Sequence, residues 1–204
     1  MTPGKRVLDI ICALALMALL ALPFVLLVLW LLLREGRPIF YVSERMRAPD
    51  RGFALWKLRT MAPAPIQSGV SGGDKAARIT RTGRILRKSR ADEIPQLWNI
   101  LKGDMSFVGP RPPLRLYVKR FPDLYAQVLN SCPGITGLAS LTYHRHEERL
   151  LAACRTPEET DAVYSRRCVP QKARLDLIYQ QRRTICLDLV LMARTLLRAL
   201  GAGG

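Results

Sequence analysis

Residues 10–33 read IICALALMALLALPFVLLVLWLLL, 24 apolar positions in a row counting Pro23. As one helix the run is about 36 Å long at about 1.5 Å per residue, against a hydrocarbon core of about 30 Å. A secretory signal has a shorter apolar core followed by a small-residue cleavage site. Here Arg34, Glu35, Gly36 and Arg37 follow at once, so the run reads as a retained membrane segment. Lys5 and Arg6 precede it, and Arg34, Arg37, Arg45 and Arg47 follow it. Positive charge resists translocation, and both flanks carry it. Pro23 removes one backbone hydrogen bond near the middle and favours a kink. Two topologies satisfy this pattern: a kinked, re-entrant helix that returns to its own leaflet, and a tilted span.

Outward from this segment the chain is basic. Its 204 residues carry 32 Lys+Arg against 16 Asp+Glu, a net charge of +16, yet 49% are hydrophobic. A disordered basic tail would be poor in apolar residues, and a plain soluble enzyme would not gather them in one run. All the basic residues except Lys5 and Arg6 lie at or beyond Arg34. An anionic partner is implied: a phospholipid bilayer, a phosphorylated substrate or nucleic acid. The five cysteines form no CxxC pair, so reduced thiols are expected rather than a disulfide framework or a zinc site. The division that follows is a membrane anchor over 1–36 and one domain over 37–204.

Within that domain, Pro38–Ser43 and Phe53–Arg59 read as two strands joined by the turn-formers of 48–52, a small β-hairpin. Residues 62–75, rich in Pro, Gly and Ser, read as a mobile loop. From Thr82 onward helical patterns dominate, broken at Gly103, at Pro110–Pro113 and at Cys132–Gly134. The fold class is therefore mainly α with a small β-hairpin (α+β). Residues 184–200 form an amphipathic pattern in which Thr184, Asp188, Arg194, Thr195 and Arg198 share a narrow arc. Its wide apolar face suits either the core or a membrane interface. Trp30, Trp56 and Tyr41 suit an interface belt, and Trp98 suits the core. His144 and His146 flank Arg145, but two histidines are not a metal site; a loop or surface position is expected for them.

The stretch that carries chemistry is Arg78–Pro113, RITRTGRILRKSRADEIPQLWNILKGDMSFVGPRPP. Arg78, Arg81, Arg84, Arg87, Lys88 and Arg90 all precede the adjacent acids Asp92 and Glu93. Pro95 and Gly103 predict a helix over 92–102 with both acids at its anion-friendly start. Alone, two acids there read as capping. With six cations beside them they suit a phosphate ester and a divalent metal. A carboxylate can attack phosphorus if neighbouring charge stabilises the oxyanion, and a second can hold Mg²⁺ together with substrate phosphates.

The order of motifs resembles the bacterial sugar transferases, small monotopic phosphoglycosyl transferases that initiate glycoconjugate assembly. The likeness runs through Lys5-Arg6 with Asp9, the anchor with Pro23, Lys57-Leu-Arg-Thr-Met61, Arg78-Ile-Thr80, Gly83 and Leu86-Arg87-Lys88. It continues through Asp92-Glu-Ile-Pro-Gln96, Asn99, Gly103-Asp-Met-Ser106 and Val108-Gly-Pro-Arg-Pro112. Pro133-Gly-Ile-Thr-Gly137 and Asp176 with Tyr179 complete it.

The resemblance implies a ping-pong transfer of a phospho-sugar from a UDP-sugar to a polyprenyl phosphate, such as undecaprenyl phosphate, with release of UMP. It implies Asp92 as the nucleophile, Glu93 as its partner at Mg²⁺, and both acids as the metal's ligands. Arg87, Arg111, Lys57, Arg78 and Asp176 fall to substrate binding, and Pro110 and Pro112 to the turn presenting Arg111. It further implies a re-entrant anchor and an interfacial catalytic domain on the cytoplasmic face of a bacterial inner membrane. Two positions depart from the family pattern. Leu22, not a serine, precedes Pro23, and Arg90-Ala91 stand before the acids where a hydroxyl and a leucine are common. The rival from another class is a membrane-tethered basic adaptor, but no nucleic-acid-binding signature supports it and no nucleic acid is expected as partner.

Overall fold

The computed structural model describes residues 1–63, 69–70 and 72–199. Helix α1 spans Pro3–Glu35, capped by the Thr2 hydroxyl, and continues through Pro23 without interruption. It is long and apolar enough to cross a membrane. Yet both of its ends are fastened to the same body. At the amino end Lys5 Nζ donates to Asp188 Oδ2, and Arg6 donates to the carbonyls of Ile100 and Leu101. Asp9 accepts from the Ser106 hydroxyl and the Phe107 amide. At the carboxyl end Arg59 donates to the carbonyls of Glu35 and Gly36. Ala13 joins the central core, and Leu31 joins a cluster with Ile39, Leu58 and Leu86. Among the described residues, none between Leu16 and Phe24 packs into either cluster. Val7, Ile11, Leu14, Leu22, Val25, Leu29 and Leu33 stay exposed along one face of the helix.

The expected hairpin forms from β1 (Phe40–Met46) and β2 (Gly52–Leu58), antiparallel from Phe40↔Leu58 to Met46↔Gly52. Of the expected loop, residues 64–68 and 71 lie outside the described residues, and Gly73–Arg78 forms a 3₁₀ helix. Helix α2 (Arg81–Ser89) starts where the Thr80 hydroxyl accepts from the Gly83 amide. A 3₁₀ turn at Ala91–Glu93 and helix α3 (Gln96–Lys102) follow.

Two short strands, β3 (Ser106–Val108) and β4 (Gly134–Thr136), pair in parallel at what the sequence pattern marks only as helix breaks. Three residues are too few to carry a period-2 signal. The pairing depends on close backbone approach: a Cβ on Gly109 would lie 2.0 Å from the Cys132 carbonyl oxygen. Between and after them run α4 (Arg115–Arg120), α5 (Pro122–Val128), α6 (Leu138–Thr142), α7 (His144–Ala152) and α8 (Pro157–Val163). A π turn over Tyr164–Cys168, α9 (Val169–Arg182) and α10 (Ile185–Ala199) complete the described chain.

Helix α10 packs on the central core, with Leu191 buried there and Leu187 and Met192 against it. Its polar arc faces inward: Asp188 also accepts from the Tyr179 hydroxyl, Thr195 meets Thr136 at 2.7 Å, and Arg198 donates to the Leu141 carbonyl. Ile185, Leu189, Val190, Leu196 and Leu197 point outward, exposed. Trp98 corrects an expectation, being 55% exposed rather than in the core. Neighbours Leu97, Asn99 and Ile100 take the inner side of α3, and a helix cannot turn every successive residue inward. His144 and His146 are on the surface as expected, but in helix α7 rather than a loop.

Candidate active site

The acid pair is built differently from the sequence expectation. Asp92 and Glu93 sit in the 3₁₀ turn, and the α-helix begins only at Gln96, after Pro95. Arg90 explains the delay. It ends α2 in the left-handed conformation, with φ 57°, an unfavourable setting for a side chain of its size. From there it donates twice to Glu93 Oε2, at 3.1 and 2.6 Å, and once to the Ile135 carbonyl. Helix-end dipole chemistry at residue 92 is thus replaced by side-chain cations.

Three elements carry those cations: strand β2, the proline turn at 110–112, and helix α2 with Arg90 at its end. Lys57, on β2, donates to Glu93 Oε1 at 3.0 Å. The strand is held there by Asn99, fully buried, which accepts from the Trp56 amide and donates to the Ala54 carbonyl. Arg111 donates to the same Oε1 at 3.2 Å. Its proline turn is tied down because Pro110 O accepts from the Gly134 amide and Pro112 O from Arg45. Arg87, on α2, is aimed by its bond to the Thr60 hydroxyl at 2.9 Å. Helix α2 approaches that closely only because residue 83 is glycine; a Cβ would lie 2.0 Å from the Thr60 carbonyl oxygen.

The two acids end in opposite electrostatic states. Burial opposes ionisation of Glu93, but Lys57, Arg111 and Arg90 overcome it and hold its carboxyl well below the usual range. Four N–H donors fill about four lone-pair sites on Glu93. Asp92 is buried and, among the described residues, has no hydrogen bond or ion pair. Burial and the neighbouring Glu93 raise its titration, against the pull of Lys57, Arg87 and Arg111. It is an uncommitted carboxylate in a cationic hollow, an arrangement suited to attack on a phosphate ester.

Not every expected site residue converges here. Arg78 donates to the Ala62 carbonyl and makes no bond to the acid pair. Asp176 is buried on α9, its titration pushed up to about 7 by burial, and has no bond to Asp92 or Glu93. Arg90 is legible in the sequence as one of the six cations before the acids and as a departure from the family pattern; its i, i+3 spacing to Glu93 is the signal for the bond it makes. Among the described residues no third acid, histidine or cysteine completes a metal cluster with the pair.

The model for the bacterial sugar transferase family matches residues 2–202. The chain belongs to the bacterial sugar transferase family. Within it, the sequence is 36% identical over 137 residues to the uncharacterized sugar transferase EpsL of Bacillus subtilis, covering 67% of each chain. It is 41% identical over 144 residues to the UDP-glucose:undecaprenyl-phosphate glucose-1-phosphate transferase of Caulobacter vibrioides, covering 67% of this chain and 53% of that one. The exopolysaccharide production protein ExoY of Sinorhizobium fredii is 30% identical over 211 residues, covering 95% and 84%. Other curated relatives are longer, and the matched region spans as little as 31% of the undecaprenyl-phosphate galactose phosphotransferase of Salmonella typhimurium. This sugar transferase is mainly helical, with small sheets and a long apolar amino-terminal helix.

Proposed function

We propose that this sugar transferase moves a phospho-sugar from a UDP-sugar to undecaprenyl phosphate, opening the assembly of a membrane-borne glycan. The observation that carries the reading is the division of labour between adjacent acids. Glu93 is saturated by three cations, while Asp92 is left open among cations. An Asp92 oxygen attacks the phosphorus bearing the sugar, the P–O bond to UMP breaks, and UMP departs with the electron pair. The acceptor's phosphate oxygen then attacks the same phosphorus and the Asp92–phosphorus bond breaks, restoring the carboxylate. Lys57, Arg87 and Arg111 stabilise charge on the equatorial oxygens in both steps. Glu93 orients Lys57 and Arg111.

Mg²⁺ fits this donor set through Asp92, since the ion is satisfied by one or two carboxylates with substrate phosphates and water. Glu93 joins it only where Arg90, Lys57 or Arg111 yields an oxygen. When bound, the ion would draw charge from the diphosphate oxygens.

The proposed topology is re-entrant, with the catalytic body on the cytoplasmic face of the inner membrane. Attachment of residues 5–9 and of residues 35–36 to one body supports it. The free middle of α1 and the outward apolar side of α10 then face lipid. Incubating the detergent-extracted protein with Mg²⁺, undecaprenyl phosphate and a panel of UDP-sugars tests the activity. UMP release with at least one donor, lost in Asp92→Asn, is the expected result; a fully active Asp92→Asn protein would overturn the assignment.

A further inference from the structure

Beside the acid pair lies a small recess lined by Arg45, Leu55, Lys57, Gln96, Arg111, Pro112 and Gly134. Three of those side chains are cationic and none is acidic. Lys57 and Arg111 are balanced by Glu93. Arg45 is not: among the described residues its guanidinium bonds only to the Ser43 hydroxyl at 3.4 Å and the Pro112 carbonyl at 3.2 Å. Burial and the nearby Arg111 pull its titration down to about 10, so it stays charged at neutral pH while its setting opposes the charge. A half-buried cation with a cationic neighbour and no acid partner is relieved by an anion entering the recess.

Position selects which anion. The charged neighbour of Arg45 is Arg111, not Asp92 or Glu93. An anion on Arg45 therefore sits one group away from the phosphorus that Asp92 attacks. Arg45 also lies toward the turn of the hairpin, five residues along β1 from Phe40, about 16 Å at about 3.3 Å per residue. The exposed Phe40, Tyr41, Val42 and Trp56 mark the other end of the hairpin as the apolar one. The phosphate of a water-soluble nucleotide suits the Arg45 end better than a phosphate carried on a lipid.

Resting on the transfer reaction above, we propose that Arg45 binds the phosphate that leaves with the nucleotide, holding UMP as its bond to the sugar-bearing phosphorus breaks. Calorimetric titration of UMP into the detergent-solubilised full chain tests this. Arg45→Gln is expected to weaken UMP binding at least about tenfold, the loss of one charged hydrogen-bond donor pair. Arg45→Lys is expected to recover part of it, and kcat/KM for undecaprenyl phosphate, which in a ping-pong transfer reports the second half-reaction alone, to stay unchanged in both. UMP affinity within twofold of wild type in Arg45→Gln would overturn the proposal. So would an acceptor kcat/KM that falls while UMP binding holds, which would assign Arg45 to the lipid phosphate. UMP affinity falling only in step with thermal stability, with no recovery in Arg45→Lys, would reduce Arg45 to a brace for the proline turn and likewise overturn it. Wild-type protein that binds no UMP would remove the transfer reading as well, which separates the two failures.

Discussion

Lys57 Nζ and Glu93 Oε1 lie 3.0 Å apart, a bond that joins the second hairpin strand to the turn carrying Asp92. It links positioning to charge, because the same oxygen also receives Arg111. Glu93 titrates below its ordinary value in the folded chain, so its stabilising contribution is present above that ordinary value. The contribution disappears as pH falls through the lower, folded one. Lys57→Met leaves Glu93 with two cations and raises its folded titration. We expect a loss of about 2 kcal/mol at neutral pH, and acid unfolding that begins at higher pH, read by denaturant melts across pH 3 to 7 (roughly the window in which carboxylates titrate). Turnover should fall by about 10²-fold or more as an oxyanion contact is lost. An unshifted acid midpoint would detach Lys57 from Glu93.

Asp92 must be ionised to attack, and burial raises its titration. The kcat/KM profile should therefore climb with pH through a limb placed above the ordinary aspartate range. Arg87 pulls that titration down, so Arg87→Met should move the limb to higher pH as well as lowering its plateau. A plateau that drops with the limb fixed would restrict Arg87 to substrate contact.

Asp176 offers a test of the opposite sign. Its folded titration stands near 7, far above its ordinary value, because it is buried. As pH rises past the ordinary value the unfolded chain releases this proton first, so folding stability declines until the folded group also ionises. Asp176→Asn should thus be more stable than wild type at pH 8 and indistinguishable at about pH 4, by thermal unfolding. A destabilised variant at both values would show that the carboxylate makes a contact the neutral amide cannot.

How far the fold could be read beforehand follows from signal length. A run of 24 apolar residues, and two strand-like stretches separated by the turn-formers of 48–52, are strong local signals. The three-residue parallel strands are not, and they surfaced only as Gly and Pro interruptions. Asp92, Glu93 and Arg87 are legible together because they fall in one short stretch, whereas Lys57 and Arg111 enter the site through the family resemblance. Arg45 was not legible, since it reaches the recess through the bend of the hairpin and the proline turn, a contact across 67 positions. The helix start was misplaced because Arg90 adopts a left-handed backbone, a conformation that sequence pattern assigns to glycine or asparagine.

The outward apolar side of α10 carries Cys186, the exposed cysteine among the described residues. If that side rests in the bilayer interface, a charged maleimide should label Cys186 quickly in detergent-free, denatured protein and slowly in proteoliposomes. Equal rates in both would leave α10 in water.

Covalent capture on Asp92 is the central claim, and intact-protein mass spectrometry addresses it directly. Protein mixed with its UDP-sugar and Mg²⁺, with the lipid acceptor withheld, should gain the mass of one phospho-sugar. Peptide mapping should place that mass on Asp92, and adding undecaprenyl phosphate should remove it. Product formation in the full reaction, with no adduct when the acceptor is withheld or with the adduct on another residue, would contradict the account.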